Sequence, residues 1–281
     1  MPSHEKPLGI CTYGTLPLRA EPAHRSEMTN QLLLGDIYSI VEEQRDWCRI
    51  ITQHDGYTAW LNRSQVRPLD ATQYPTLLTE PIQHVALDVM RTIIAPNRRL
   101  IVPLGSTLPY YDVQKHSFEL GGQSYRYMGK VRTICKPKLE MTNVTDKPEN
   151  TLFRRQILQF AKKYLSTPYL WGGRSPWGID CSGFTQVCAK LCGVALYRDA
   201  YQQAEQGTPV NDLSQAEMGD LAFFSPDKHT QRITHVGIIA EKRQIIHASG
   251  EVRIDIIDNN GILNAQTQQY SHYLRTIRRL I

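Results

Sequence analysis

An α+β fold is predicted, with small β modules ahead of a domain that runs helix first and strands after. Three observations carry this. The first half holds short strand candidates separated by turn signals. Two amphipathic helical patterns follow, one through Phe153, Ile157, Phe160 and Tyr164, the other through Phe184, Val187, Cys188 and Leu191. Beyond Gly219 a run of strand candidates reaches Ile257.

In the first half, Ile37 to Val41 and Trp47 to Thr52 read as strands, His54-Asp55-Gly56 as a turn, and Tyr57 to Leu61 as the returning strand. Such spacing suggests a small barrel or sandwich. Pro68, and Tyr74-Pro75 to Glu80-Pro81, read as a linker. Leu34-Gly35-Asp36 then has an echo in Leu104-Gly105-Ser106, and Tyr57 has one in Tyr125. The echoes suggest two related β modules, spanning 1–72 and 80–148; a single larger β domain is the alternative.

A third domain is expected over 150–281. Its first helix is capped by Asn150 or Thr151. The second begins near Cys181 and stops at Gly193, which supplies a C-cap glycine. Asp220 to Phe224, Thr234 to Ala240, Gln244 to Ala248 and Val252 to Ile257 read as strands of an antiparallel sheet.

The chain has 281 residues, 41% hydrophobic and 21% charged, with a formal charge of +5. The basic residues are scattered, so no nucleic-acid partner is expected. The excess reads as a solvated surface, with attraction of an acidic small substrate as the functional alternative. No apolar stretch has the length of a membrane span, and Met1 to Glu21 lacks the pattern of a signal peptide. A cytoplasmic protein with no membrane partner is therefore expected. Six cysteines without C-x-x-C or zinc spacing read as reduced thiols. No H-E-x-x-H or cofactor motif occurs, His229 reads as a loop residue, and neither metal nor cofactor is expected.

Chemistry concentrates on Cys181. At a helix start the backbone N–H groups are unsatisfied and carry partial positive charge, which lowers a thiol's pKa and favours the nucleophilic thiolate. A base is needed as well. With a turn at Glu241 to Arg243, Ala240 pairs with Gln244 and His247 falls opposite Gly237, diagonal to His235 on the same face. His235 is then the base and His247 its orienting partner. Cys188, on the apolar face of the same helix, reads as inert core.

The joint pattern of Tyr169-Leu170-Trp171-Gly172-Gly173, Asp180-Cys181-Ser182-Gly183-Phe184, Thr234-His235-Val236-Gly237-Ile238 and then His247 resembles the NlpC/P60 family of cysteine peptidases. The resemblance covers roughly Thr151 to Ile281. It implies a papain-like catalytic fold and hydrolysis of cell-wall peptides. Ser26-Glu27-Met28-Thr29-Asn30-Gln31 and Asp55-Gly56-Tyr57-Thr58-Ala59-Trp60 resemble a bacterial SH3 module, which narrows the likeness to γ-D-glutamyl-L-diamino acid endopeptidases. These recycle muropeptides and prefer a free N-terminal L-Ala. Ala59 and Asp36 depart from that branch, where glycine and glutamate are usual.

The resemblance implies further roles. The tyrosine position falls on Tyr169, whose hydroxyl helps to hold an oxyanion, or else packs beside Trp171. A carboxylate that pairs with the substrate ammonium selects a free N-terminus. Asp180 is the first candidate, with Ser182 adding a hydrogen bond, and the SH3-module pair falls on Glu27 and Tyr57. Arg198 either pairs with the α-carboxylate of D-Glu or forms a structural ion pair. The expected partner is a murein tripeptide or other muropeptide, and a monomer is expected. A CHAP-type amidase, and an SH3-type wall-binding protein with an inactive peptidase domain, are the competing readings.

Overall fold

In the computed structural model the described residues are 7–69, 76–95, 98–137, 139, 148–241 and 243–281, without side-chain description at 148–150. They fall into two compact units: Met1–Pro137 with Trp171–Pro176, and Lys138–Leu170 with Trp177–Ile281.

The first unit opens with β1 (Leu8–Ile10), β2 (Thr15–Arg19), β3 (Met28–Leu33), β4 (Ile37–Glu43), β5 (Trp47–Thr52) and β6 (Thr58–Asn62). They form one sheet in the order β1-β4-β5-β6-β2-β3. Leu16, Leu18, Leu32, Ile50 and Leu61 point inward and fill its core. The expected strands over 37–61 are all present; β4 runs two residues further than Val41, and β6 starts one residue after Tyr57.

Six more strands follow: β7 (Ile82–Ala86), β8 (Met90–Ala95), β9 (Arg98–Pro103), β10 (Ser117–Leu120), β11 (Gln123–Arg126) and β12 (Val131–Cys135). They pair as β7 with β12, β8 with β9 and β10 with β11, all antiparallel. The repeat is real at the level of hydrogen bonds. Gly35 N–H donates to Cys11 and Cys11 N–H to Asp36; Gly105 N–H donates to Ala86 and Ala86 N–H to Ser106. Both glycines sit at positive φ, +81° and +85°, which the turn demands of them. Leu34 and Leu104, just before, are fully buried. The second echo is looser: Tyr57 precedes a strand and is half-buried, while Tyr125 lies within β11 and is buried.

The two stretches are not independent in packing. Ile10, Leu34 and Leu69 share one apolar core with Ala86, Val102 and Phe118. Burying these faces against each other removes more apolar surface from water than two separate small barrels would. The unit also takes in Trp171–Pro176, which the sequence placed within 150–281. Part of this segment is β13 (Arg174–Ser175). Of the expected linker, 70–75 lies outside the described residues, and Thr76 to Thr79 form a turn.

The second unit begins with α1 (Pro148–Lys162). It starts earlier than expected, so Asn150 and Thr151 lie inside the helix rather than capping it. Proline at a first helical position forfeits no hydrogen bond, which explains the earlier start. The apolar stripe of Phe153, Ile157 and Phe160 is buried, and Tyr164, just past the helix end, is buried as well. After β14 (Gly178–Ile179) comes α2 (Cys181–Leu191), buried along its whole length, with Gly193 at φ +82° beyond its end. Phe184 of α2 meets Tyr164 edge to face, ring centroids 6.1 Å apart.

A short α3 (Ala200–Gln203) precedes the sheet strands β15 (Thr208–Val210), β16 (Leu221–Ser225), β17 (His235–Ile239), β18 (Gln244–Ser249), β19 (Glu251–Ile257), β20 (Gly261–Leu263) and β21 (Tyr270–Arg279). Their order is β15-β21-β16-β17-β18-β19-β20, and β20 also pairs with β21. Every residue of β16 and β17 is buried. Helix and strands together make the α+β arrangement the sequence predicts, with α2 laid against β17 and β18.

Candidate functional site

The start of α2 is built by Asp180. Its extended backbone (φ −93°, ψ 176°) precedes the helix, and its Oδ1 accepts from the Gly183 N–H at 2.7 Å. A cap of this kind contributes about 1 kcal/mol. It also leaves Cys181 as the first helical residue, with the helix N-terminus directed at the thiol. Cys181 is 5% exposed.

Asp180 is held in turn by Arg198. Nη1 of Arg198 donates to Asp180 Oδ1 at 3.1 Å and Nη2 donates to Oδ2 at 2.5 Å. Arg198 Nη1 also donates to Ser182 Oγ at 2.8 Å. Arg198 is 2% exposed. Of its two sequence readings, the structure places it as the ion pair: the fork that would grip a substrate carboxylate is closed on Asp180. Ser182 belongs to the same cluster, its hydroxyl 3.3 Å from Asp180 Oδ1.

The hairpin of β17 and β18 pairs Gly237 with His247, and Ala240 N–H donates to Gln244 O. This is the register expected from the turn, and it brings the two imidazoles together. His235 Nε2 lies 2.9 Å from His247 Nδ1, both rings buried. Cys181 Sγ lies 3.9 Å from the carbonyl oxygen of Thr234, the residue before His235. Tyr169 is half-buried and anchored by its N–H to Gly250 O at 2.8 Å. Its phenol is pushed well above the usual range, by burial first and then by Cys181 and Asp180, so it is a proton-bearing donor at neutral pH.

Helix-end electrostatics predicts a lowered thiol pKa, and here burial prevails. The Cys181 thiol is pushed up to about 12 by burial and then by Asp180, against the opposing pull of the Val236 N–H, Arg198 and the Ser182 N–H. Burial, with His272 and His247 adding to it, holds His235 well below the ordinary histidine range. At neutral pH the thiol and the imidazole therefore both rest uncharged. Cys188 is fully buried and its thiol is raised well above the ordinary value by burial, as inert core should be.

Glu27 and Tyr57 belong to the first unit. Glu27 is exposed, and its Oε1 accepts from the Trp171 indole N–H. Tyr57 packs half-buried on the core of the β1–β6 sheet, its N–H donating to Thr52 Oγ1 at 2.9 Å. His229 lies on a loop, its N–H donating to Asp227 Oδ1.

Two residues escaped the sequence reading. Asp255 Oδ2 lies 3.0 Å from His247 Nε2, buried beneath it. His272 stacks on His235, centroids 3.9 Å apart. Asp255 had a signal: β18 pairs His247 with Arg253, so the residue two further on shares that face. His272 had none, because β21 reaches the site only through long-range pairing with β16 and β20.

With this geometry in hand, the likeness to known proteins is specific. Residues 166–271 match the NlpC/P60 family, and residues 18–66 match the bacterial dipeptidyl-peptidase SH3 domain. The chain thus carries an NlpC/P60 domain with a bacterial SH3 domain ahead of it. It is 28% identical over 260 residues to dipeptidyl-peptidase 6 of Lysinibacillus sphaericus, covering 89% of this chain and 91% of that protein. It is 26% identical over 252 residues to a γ-D-glutamyl-L-lysine dipeptidyl-peptidase of Bacillus cereus, covering 84% of this chain and 72% of the relative. In fold it resembles the crystal structure of an NlpC/P60 family protein from Bacillus cereus, with a TM-score of 0.77 at 19% identity, covering 97% of this chain and 99% of that one.

Proposed function

We propose that this protein is a cysteine peptidase of cell-wall peptides, cleaving the γ-D-glutamyl–diamino acid bond of peptides with a free N-terminal L-Ala and releasing L-Ala-D-Glu. The observation that carries the reading is the buried His235–His247 pair, 2.9 Å apart, with Cys181 Sγ 3.9 Å from the carbonyl oxygen of Thr234, the residue just before His235. The names of the relatives, a dipeptidyl-peptidase and a γ-D-glutamyl-L-lysine dipeptidyl-peptidase, support the bond and the product.

In this reading Nδ1 of His235 takes the Cys181 proton as the sulfur attacks the γ-carbonyl carbon. A general base of this kind contributes about 10²–10⁴ in rate. The tetrahedral oxyanion is held by the Cys181 backbone N–H and the Tyr169 hydroxyl. The C–N bond then breaks, His235 gives its proton to the leaving amine, and a thioester remains. Water, deprotonated by His235, hydrolyses the thioester and restores the thiol. Asp180, fixed by Arg198, is the first candidate for the group that reads the substrate ammonium, and Glu27 and Tyr57 are the candidates for that role within the SH3 domain.

The test is mass spectrometry of products from L-Ala-γ-D-Glu-diaminopimelate, its lysine counterpart and their N-acetylated twins. L-Ala-D-Glu released from the free peptides alone is the expected result. Cleavage of the acetylated twins as well would discard the ammonium-reading role. Full hydrolysis by a folded C181A would overturn the cysteine mechanism.

A further inference from the structure

The proposal concerns Asp255 and rests on the reading of Cys181 and His235 as nucleophile and base. Three buried side chains form a line: His235 Nε2 to His247 Nδ1 at 2.9 Å, then His247 Nε2 to Asp255 Oδ2 at 3.0 Å. His247 is fully buried, Asp255 2% exposed and His235 4% exposed. We propose that Asp255 is a positioning residue for the reaction, fixing the tautomers of both histidines so that Nδ1 of His235 keeps its lone pair for the thiol proton.

A carboxylate only accepts hydrogen bonds, so His247 Nε2 must carry the proton that faces it. In neutral His247 the other nitrogen, Nδ1, is then an acceptor. The atom opposite, His235 Nε2, must therefore be the donor. A neutral His235 with its proton on Nε2 has a bare Nδ1. Each step follows from the one before, and the direction of the whole line is set at its buried end by Asp255.

Asp255 is itself held in place. Its Oδ1 accepts from the Ala265 N–H at 2.8 Å and from Arg253 Nη2 at 3.2 Å. Arg253 Nε lies 2.9 Å from Oδ2. Hydrogen bonds from His247, the Ala265 N–H and Arg253 keep the carboxyl at about 2, against burial, which alone would raise it. It is ionised wherever the enzyme works.

This arrangement makes the Asp255→Asn variant informative. Ala265 N–H and Arg253 Nη2 donate at the Oδ1 position, whereas Arg253 Nε, though close to Oδ2, makes no hydrogen bond there, so the amide oxygen is held at Oδ1 and the NH2 group is turned to His247 Nε2. His247 must then accept at Nε2 and carry its proton on Nδ1. That proton faces His235 Nε2, which becomes the acceptor, and the His235 proton moves to Nδ1. The base is lost without removing any atom from the reacting groups.

The wild-type protein gives the first measurement, 15N chemical shifts of the imidazoles at neutral pH in protein labelled at histidine. The expected result is Nε2–H for both His235 and His247. A proton on Nδ1 of His235, or a doubly protonated His247, would overturn the proposal. The second measurement is kcat. The kcat of D255N is expected to fall by up to about 10⁴, the loss that the carboxylate-to-amide change gives in a triad, with both tautomers reversed in the same spectra. D255E, which keeps an acceptor, is expected to recover most of the wild-type tautomer signature. D255N with unchanged kcat, alongside an inactive C181A, would sink the Asp255 role alone; an active C181A would sink the catalytic reading beneath it.

Discussion

His272 lies flat against His235, ring centroids 3.9 Å apart and planes inclined by 20°. A second titratable ring on the face of His235 cannot be neutral to its behaviour. Burial, His247 and the opposing pull of Asp255 leave His272 at about 4, and its charge, once present, disfavours a second charge on His235. The titratable groups around His235 are therefore His247 and, behind it, Asp255, then His272. The acid limb of kcat/KM is expected below 6.5, the unshifted histidine value, because His235 is held well below it. In H272F the stack is kept and the charge removed, so the His235 pKa rises and the acid limb moves to higher pH. The kcat at neutral pH is expected to stay within about tenfold, the scale of one ring contact. A pH profile of both proteins checks this; an unmoved limb would show that the two rings are not coupled.

The Asp180–Arg198 pair should be a stability element before anything else. Both side chains are almost wholly buried, at 5% and 2% exposure. Removing one partner of such a pair costs about 3–5 kcal/mol because the other charge stays behind. R198M strands the carboxylate that caps α2, and is expected to lower the urea midpoint accordingly. R198K, which keeps the charge but not the fork, is expected to lose less. Equal stability of R198M and wild type would mean that Asp180 finds another partner.

Much of this site was legible from the amino-acid order, and the rest was not, for a physical reason. Cys181 was readable because a helix start, an apolar stripe and a C-cap glycine are local patterns. His235 and His247 were readable because one turn fixes the hairpin register, which structure and sequence share: Gly237 opposite His247. The lower thiol pKa expected at a helix N-terminus was not found, because burial depends on what the rest of the chain places over Cys181. The same applies to the ring beside His235: Ile262 pairs with His272 across a β-bulge, a long-range register no short pattern encodes. The two-module reading caught the shared turn at Gly35 and Gly105 but not the common core that joins Ile10 and Leu34 to Val102 and Phe118.

Within the first unit, Gly172 is held where no other residue fits. Its φ is +77°, and a Cβ there would lie 2.4 Å from the carbonyl oxygen of Met28. Two residues on, buried Arg174 donates through Nη1 to Asp36 Oδ2 at 3.0 Å and to Gln31 O at 2.7 Å. G172A must shift backbone against backbone, with no flexible side chain to yield. Left-handed strain alone costs about 1–2 kcal/mol, and the clash adds to it. A fall in thermal midpoint is expected. An unchanged midpoint would mean that the 171–176 segment adjusts without loss.

The Asp255 carboxylate also bears on acid stability. Its folded pKa of about 2 lies below the ordinary 3.8, so its stabilising contribution is fully present above pH 4 and is lost as pH falls through 2. The shift corresponds to about 2 kcal/mol, of which roughly half is gone by pH 3. Asparagine does not titrate, so the D255N variant lacks this component of the pH dependence. Urea midpoints of wild type and D255N between pH 5 and 3 should therefore converge as pH falls, with wild type losing about 1 kcal/mol more than the variant. Parallel curves would mean that the carboxylate is no better stabilised in the folded chain than in the unfolded one. The hydrogen bond to His247 could then not be the strong, charge-assisted contact on which the tautomer argument depends.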